Sequence, residues 1–469
     1  MPPTSPTPVN RDEAPVRERG DACPGALRLH AADDGRLARL RLPAGLLTYR
    51  QAEALATAAE RLGDGRLDIT SRGNVQLRGL GESCGGELAE LLYEAGLLPS
   101  ERHERVRNVV ASPLAGLDGI PRADVRLWAR ELDALLCASE AATALSGRFL
   151  FALDDGRGDV AALGADVTLL AQPDGTAALH TGANGSGLRV SAGDAPRAAL
   201  LAAESFLTVA AASGSGAWRV RELPAGHGLD AAVTTALATA GIATEPVAEY
   251  GAEYATEPEA EYRAEYGADV ARPEAGPPVP GPIHSPDGTV ALSVYAPLGR
   301  LSVAQWRLLL SAGERGTNDR TLRVTPWRGV IVPGLDPATA HDLLDRLRTA
   351  GLITDPHSPW HNVGACTGRP GCAKALTDVR ADAAGAVTAT GPSGLPAARP
   401  GDLPVYWSGC ARRCGHPQGS WVDVVATGEG GYDISVRGHL LRATTGPELA
   451  EAVATARKPT TARTTPVTR

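Results

Sequence analysis

Lysine is almost missing from this chain: only Lys374 and Lys458 interrupt a basic complement of 46 side chains that is otherwise arginine. Guanidinium groups suit planar recognition of carboxylates, although an arginine-rich codon usage produces the same skew. An excess of positive charge is missing as well. The formal net charge of -8 argues against a nucleic-acid binder or a polybasic membrane binder. Long apolar runs are absent: the most apolar stretch, residues 198–212, contains Glu204 and is too short to span a bilayer. The N-terminus is rich in Pro and Thr and then charged from Arg11 to Arg19, with no apolar export segment, so a cytoplasmic protein is expected. Seven cysteines in 469 residues are too few for a disulfide framework. No dinucleotide-binding glycine fingerprint follows a strand-like run, so any NADH dependence would pass through a separate protein.

What is present is an ordinary globular composition, 43% hydrophobic and 21% charged, in a chain long enough for two or more cores. An internal repeat organises it. Residues 40–80 and 294–335 both open with a strand-like run and a Gly-containing turn. Both then start a helix with a capping-box pattern, Thr48 to Gln51 and Ser302 to Gln305. Each helix is expected to end in a Gly/Asp turn, followed by a β-rich run with an arginine, Arg72 or Arg328. Downstream, Arg107–Ser112 resembles His361–Cys366, at intervals of 36 and 34 residues from Arg72 to Asn108 and Arg328 to Asn362. A small α+β unit is used twice.

Residues 244–282 hold an acidic Glu-Tyr repeat with Tyr250, Tyr254, Tyr262 and Tyr266, then a Pro/Gly run, a composition that cannot build a core. The expected organisation is a disordered tail at 1–18, a half-domain at 19–86, a second domain at 87–243, a linker at 244–282, a second half-domain at 283–352, a cysteine-bearing domain at 353–456 and a tail at 457–469.

Four cysteines carry the chemistry. Cys366 and Cys372 flank a loop with Gly368, Pro370 and Gly371, flexible enough to turn both thiolates toward one centre. Cys410 and Cys414 stand at i, i+4 spacing, which on a helix puts both sulfurs on one face. Converging thiolates suit an iron-sulfur cluster or a structural zinc. Zinc pairs usually lie two to four residues apart, and these spacings favour a cubane cluster. Cys23, Cys84 and Cys137 follow no spacing rule and default to buried thiols, with some reservation for Cys23.

With these residues in view, the chain resembles the nitrite/sulfite reductase superfamily over about residues 20–240 and 283–440. The resemblance rests on T-S-R-G at Thr70–Gly73, R-N-V at Arg107–Val109 and the four cysteines. Three segments are similar to one branch of it, the oxygenases that act on precorrin-3A in aerobic cobalamin biosynthesis: Asp21–Gly25, Gly147–Asp155 and Cys414–Pro417. The resemblance implies an α+β, duplicated nitrite/sulfite reductase-like fold, with two ferredoxin-like half-domains and two cofactor- or substrate-binding α/β domains about a pseudo-twofold axis. It implies a [4Fe-4S] cluster on Cys366, Cys372, Cys410 and Cys414, and a mononuclear non-haem iron nearby. The implied reaction is a monooxygenation of precorrin-3A at C20 with closure of a γ-lactone. The implied partners are the tetrapyrrole, O2 and an external reductase or ferredoxin fed ultimately by NADH; no nucleic acid or membrane is involved, and a monomer is expected.

An anionic macrocycle meeting a protein of net charge -8 needs a local basic pocket. Arg72, Arg107 and Arg148 are the first candidates for its carboxylates because they sit in the motifs; Arg78, Arg328 and, more weakly, Arg105 follow. Lys374, Arg412 and Arg413 lie on cluster-motif segments, and a cation between cluster ligands raises the cluster potential. Asp154 and Asp155 are candidates for acid/base work or iron ligation, against a turn-capping reading. His416 and His361 are the histidines nearest the cluster motifs, and His416 is the one carried as a catalytic candidate. No facial-triad spacing stands out.

Two rivals remain. A sirohaem-dependent nitrite or sulfite reductase needs sirohaem on the cluster thiolate of Cys414. Leu150 opposes it, standing where sulfite reductases usually carry a lysine that holds and protonates the oxyanion. A zinc-stabilised binding protein is the other.

Overall fold

The computed structural model describes residues 21, 23–119, 123–182, 187–247, 276–311, 320–389, 394–397, 399, 401–417, 419–428, 430–445 and 448–458. The expected tail at 1–18, residues 459–469 of the one expected at 457–469, and the four tyrosines of the acidic repeat lie outside the described residues, as does the turn expected to end the second capped helix. The described chain falls into two compact units. The smaller comprises residues 21–23, 105–112 and 123–247 with 276; the larger comprises 24–104, 113–119 and 277–458.

In the larger unit the repeat becomes two half-domains. The first has β1 (His30–Ala32), β2 (Gly35–Leu40), β3 (Leu46–Thr48), helix α1 (Tyr49–Leu62), β4 (Arg66–Ile69), β5 (Val75–Leu80) and α2 (Gly85–Glu94). The second has β12 (Gly281–His284), β13 (Val290–Tyr295), β14 (Arg300–Ser302), α6 (Val303–Leu310), β15 (Thr321–Val324), β16 (Gly329–Leu335) and α7 (Pro337–Thr349). Each helix begins where the sequence expects it. Thr48 Oγ1 accepts from the Gln51 amide at 3.2 Å and Gln51 Oε1 accepts from the Thr48 amide at 3.0 Å; Ser302 and Gln305 repeat this at 3.1 and 2.9 Å.

The halves exchange strands. The sheets run β1-β2-β5-β4-β14 and β12-β13-β16-β15-β3, so each half completes the other's sheet. Leu301 stands opposite Leu67 and Leu47 opposite Leu322, all four fully buried. The two capped helices pack together, with Trp306 buried and its indole N–H donating to the Ala52 carbonyl at 2.8 Å. Burying a leucine contributes roughly 1.5–3 kcal/mol, so this shared core couples the stability of both halves.

The remaining two sheets have one topology. In the smaller unit β6 (Val109–Ala111), β7 (Phe151–Asp154) and β8 (Val167–Ala171) are parallel, and β9 (Thr176–Thr181), β10 (Gly187–Ser191) and β11 (Glu245–Val247) continue antiparallel. In the larger unit β17 (Val363–Ala365), β18 (Val405–Ser408) and β19 (Val422–Gly428) are parallel, and β20 (Gly431–Val436) and β21 (His439–Thr445) follow antiparallel. Helices α3 (Val125–Ala138), α4 (Ala195–Ser213) and α5 (Leu229–Thr239) pack in the smaller unit; α8 (Val379–Thr388) and α9 (Glu448–Arg457) pack in the larger. The apolar stretch noted above is α4, long and apolar enough to cross a bilayer by composition alone; here Ala198, Ala199, Ala202, Ala203 and Phe206 are buried in the unit's core.

Several expected boundaries move. The first half-domain does not stop at 86: α2 and the chain to residue 104 stay in the larger unit with it. Residues 113–119 return to that unit against the second half-domain, where Leu117 packs on Ala291 and Ile331 and Arg323 donates to the Pro113 and Ala115 carbonyls. Residues 245–247 of the expected linker are strand β11, paired with β10, and β12 already begins at Gly281. Arg457, assigned to the C-terminal tail, is 1% exposed, and its guanidinium donates to the carbonyls of His361 at 2.6 Å and Leu403 at 3.2 Å. A buried arginine needs such acceptors, which ties the last helix to β17 and β18.

Candidate metal centre and substrate arginines

The cysteine pairs ride on β17 and β18 of the larger unit. Cys366 follows β17, its amide donating to the Trp407 carbonyl at 2.9 Å, and Cys410 follows β18. The segment from Cys410 to Cys414 is not the expected helical turn. It is two successive turns, closed by Arg413 N to Cys410 O at 3.2 Å and His416 N to Arg413 O at 3.3 Å, with Arg413 at φ 49°. Left-handed Arg413 prevents a helical turn, and turn geometry places Cys410 and Cys414. Burial pushes the Cys414 thiol up, and the neighbouring Cys366, Cys410 and Cys372 thiols push the same way, so all three lie within its electrostatic reach. The Gly409 amide donates to Cys366 Sγ at 3.2 Å, and a Cβ at Gly409 would meet the Ala375 Cβ at 2.7 Å. Amide donors to sulfur are one means of setting a cluster potential.

This donor set fits a [4Fe-4S] cluster, which takes one thiolate per iron around a cage. Among the described residues no group of three or more His, Cys, Asp or Glu side chains converges to hold a single metal ion. Neither the four cysteines nor any other described donor set is gathered about a single ion, so no described set marks the expected mononuclear iron.

Two arginines assigned to substrate are instead built into the walls of the cysteine loops. Arg78 is 4% exposed; its fork holds Asp34 at 2.7 and 2.8 Å, and Nη2 also donates to the Gly371 carbonyl at 2.7 Å. Bidentate pairing of this kind is strong, and it consumes the donors a substrate would need. Arg328 lies over the Tyr406 ring at 5.3 Å and donates to the Gly415 carbonyl at 2.7 Å. Its repeat alignment also shifts by one residue. Thr70 N bonds Asn74 O and Gly73 N bonds Thr70 O, while Thr325 N bonds Gly329 O and Arg328 N bonds Thr325 O. Thr70 matches Thr325, so Arg328 matches Gly73, both at φ 64°, and Arg72 matches Trp327. Arg72 stays partly exposed on the β4–β5 turn. Lys374 and Arg412 are exposed on the cysteine-bearing segments, whereas Arg413 is paired with Asp423.

His416 stacks on Trp421 with ring centroids 4.6 Å apart, and its Nδ1 lies 2.7 Å from the Pro417 carbonyl. His361 is engaged by the Pro356 carbonyl at 3.0 Å, and burial pulls its pKa down. Stacking and carbonyl contacts hold both rings in place.

In the smaller unit the equivalence with the cluster sheet is residue by residue. Phe151 N bonds Asn108 O as Val405 N bonds Asn362 O, and Ser112 N bonds Leu153 O as Cys366 N bonds Trp407 O. Asp155 N donates to Ser112 Oγ at 3.1 Å where Gly409 N donates to Cys366 Sγ. Asp154 and Asp155 thus stand where the cluster sheet turns toward Cys410, and both are structural. Asp154, fully buried, accepts from the amides of Gly156, Gly158, Val160 and Ala161 at 2.8–3.1 Å. Asp155, 2% exposed, is gripped by Arg157 at 2.8 and 2.6 Å. Burial first, then the Asp155 charge, pushes the Asp154 carboxyl up. Neither carboxylate is open to a substrate, which corrects their assignment as catalytic groups.

Arg107 is likewise consumed: 6% exposed, it pairs with Asp133 on α3 through two bonds of 2.7 Å. Arg148 differs. It is exposed, makes no ion pair among the described residues, and lies over the Trp218 ring at 4.9 Å. Its loop is latched from the N-terminus, with Asp21 accepting from Ser146 Oγ at 2.9 Å and the Gly147 amide at 2.7 Å. Burial opposes ionisation of Asp21, but hydrogen bonds from Cys23, Gly147 and Ser146 hold its carboxyl below the usual range. Cys23, whose own amide donates to Asp21 at 2.9 Å, belongs to that latch. Arg105 approaches Asp21 at 3.7 Å. Leu150 is 3% exposed, with its amide donating to Asp166 at 2.8 Å. Sequence reasoning missed Trp218 and Tyr406, since a lone aromatic carries no spacing signal.

The family described as "Nitrite/Sulfite reductase ferredoxin-like half domain" matches residues 30–95 and 282–350, the two strand-exchanging halves. Among curated relatives, a precorrin-3B synthase from a Sinorhizobium species is 29% identical over 432 residues, covering 90% of this chain and 83% of that protein. A ferredoxin–nitrite reductase from Synechococcus elongatus is 39% identical over 127 residues, 26% of this chain and 25% of its own. The solved structure of the Mycobacterium tuberculosis NirA protein superposes with a TM-score of 0.59 at 20% identity, over 89% of this chain and 79% of that one, a likeness of fold.

Proposed function

From a chain with the nitrite/sulfite reductase-like fold, built on two ferredoxin-like half domains, we propose an iron-sulfur oxidoreductase that carries out the precorrin-3B synthase reaction. The observation that carries this reading is coverage. Similarity to the precorrin-3B synthase runs through 90% of the chain, whereas similarity to the Synechococcus nitrite reductase is confined to 26%. One oxygen atom of O2 enters precorrin-3A at C20 and the other leaves as water, with two electrons and two protons from an external donor; the ring A acetate closes the γ-lactone.

A [4Fe-4S] cluster on Cys366, Cys372, Cys410 and Cys414 supplies single electrons. The chain's own residues bind and orient. Arg148, carried on Trp218 and latched by Asp21, takes a macrocycle carboxylate, because its donors are uncommitted to any acid among the described residues. Lys374 and Arg412 place positive charge beside the cluster thiols on a protein of net charge -8. Arg72 remains a candidate for a second carboxylate.

The short, higher-identity match to nitrite reductase favours a second reading, sirohaem-dependent nitrite or sulfite reduction. The buried Leu150 offers neither charge nor proton for an oxyanion, which weighs against it. Anaerobic purification followed by iron, acid-labile sulfide and tetrapyrrole assays separates the two. Iron and sulfide without sirohaem, followed by O2 uptake with precorrin-3A, supports the oxygenase; stoichiometric sirohaem overturns it. Cys410→Ser is expected to abolish the cluster signal and activity together, and retention of both would remove the ligand assignment.

A further inference from the structure

Three glycines leave room for one side-chain pair beside the cluster cysteines. A Cβ at Gly299 would meet Arg328 Cδ at 2.4 Å. One at Gly364 would come within 3.0 Å of the Tyr406 ring and 3.4 Å of Arg328 Nη1. One at Gly415 would come within 3.0 Å of the Tyr406 hydroxyl and 3.4 Å of Arg328 Nη2. Into this space the guanidinium of Arg328 lies over the Tyr406 ring at 5.3 Å. Both then grip consecutive carbonyls: the Tyr406 hydroxyl donates to Cys414 O at 2.6 Å and Arg328 Nη2 donates to Gly415 O at 2.7 Å.

The backbone pays for this arrangement. Arg328 sits at φ 64°, a region where a side chain is unfavourable, and the other half-domain fills the same turn position with Gly73 at the same angle. Nothing in the turn itself asks for arginine, since glycine closes it with the same hydrogen bonds. Strain retained against an available alternative points to a use for the side chain.

We infer that Arg328 and Tyr406 form a positioning clamp that fixes the Cys414 and Gly415 carbonyls, holding the backbone of Cys414 in place and keeping a positive charge on the loop that carries it. The clamp rests on the cluster reading above, but its first consequence belongs to the metal-free chain. With the peptide held, Cys414 is restrained although it is the most exposed of the four cysteines. With a cluster bound, the guanidinium favours the reduced, more negative state and raises the potential.

The test is Arg328→Gly in the full chain, which relieves the left-handed strain and keeps the turn while removing the clamp. In the metal-free protein, iodoacetamide labelling is read by peptide mass spectrometry on the alkaline plateau of the pH–rate profile, where losing the Arg328 charge no longer changes the thiolate fraction. It should show Cys414 alkylated about tenfold faster, the order expected for losing one charge-assisted hydrogen bond. Cys372, whose loop is held by Arg78, should label at the wild-type rate. The reconstituted cluster should shift to a more negative midpoint potential. Unchanged Cys414 labelling and unchanged potential would overturn the clamp. Should R328G fail to fold, Tyr406→Phe carries the same decision: it removes only the hydroxyl bonded to Cys414 O, and should speed Cys414 labelling selectively. Iron and sulfide content of the wild-type protein judges the cluster reading separately, because the labelling arm needs no cluster.

Discussion

The pair of Arg107 and Asp133 joins the entry of β6 to α3 by two bonds of 2.7 Å, with the arginine almost wholly buried. Removing one partner of a buried pair strands the other's charge. Arg107→Ala should therefore cost about 3 kcal/mol, the low end for such pairs because Asp133 keeps some water, and urea unfolding measures it. Arg148→Ala should leave the urea midpoint unchanged, as exposed substitutions do; its cost should appear in substrate affinity, and unaltered affinity would end its assignment to the pocket. The third residue-scale expectation concerns Asp159. Burial, then the charge of Asp154, pushes its carboxyl well above the ordinary aspartate value of 3.8. The folded state then holds a proton that the unfolded chain releases above 3.8, so stability falls as pH rises through the raised value. Asp159→Asn can still accept from Ser112 Oγ and the Val160 amide through its remaining oxygen. The variant should be at least as stable as wild type at pH 7, with a flatter decline in unfolding free energy above pH 4. A slope equal to wild type would show that Asp159 does not carry the proton.

At the scale of elements, the two capping boxes were legible in full because a cap is a local bond: its donor, acceptor and three-residue spacing all lie in the sequence. Thr48→Ala and Ser302→Ala should each cost about 1 kcal/mol in thermal or chemical unfolding. The turn that carries Arg328 was read one residue out of register, since arginine is an easier landmark than the threonine whose hydroxyl closes the turn. Cys410 to Cys414 was read as helical from its i, i+4 spacing. That spacing is necessary for a helical pair but does not make a helix, and left-handed Arg413 bonds its amide back to Cys410 instead. The loop at Asp154–Ala161 was read as possible chemistry because carboxylates serve both chemistry and turns. Four amide donors around one buried carboxylate decide for the turn.

At the scale of the molecule, the exchange of β3 and β14 makes the two half-domains one folding problem. Each sheet lacks an edge strand until the other half arrives, and Trp306 of one packs on α1 of the other. Residues 24–104 expressed alone should fail to form a cooperative monomer, and co-expression with residues 277–469 should restore it. A sharp two-state transition of the isolated half would contradict the coupling.

The duplication and the paired capped helices were determined by sequence alone, because each rests on spacing along the chain or on a local bond whose donor and acceptor the sequence names. The fold family was legible for the same reason. Tertiary structure alone decided which arginines are available. Arg78, Arg107 and Arg328 share with Arg148 the same side chain and a place on motif segments, and differ in what meets the guanidinium: Asp34 and a carbonyl, Asp133, a carbonyl, each within about 3 Å, and for Arg148 the Trp218 ring at 4.9 Å. A bidentate acid or a carbonyl engages the donors, and those partners come from segments far away in the chain. No local pattern encodes that proximity, so the folded chain has to supply it.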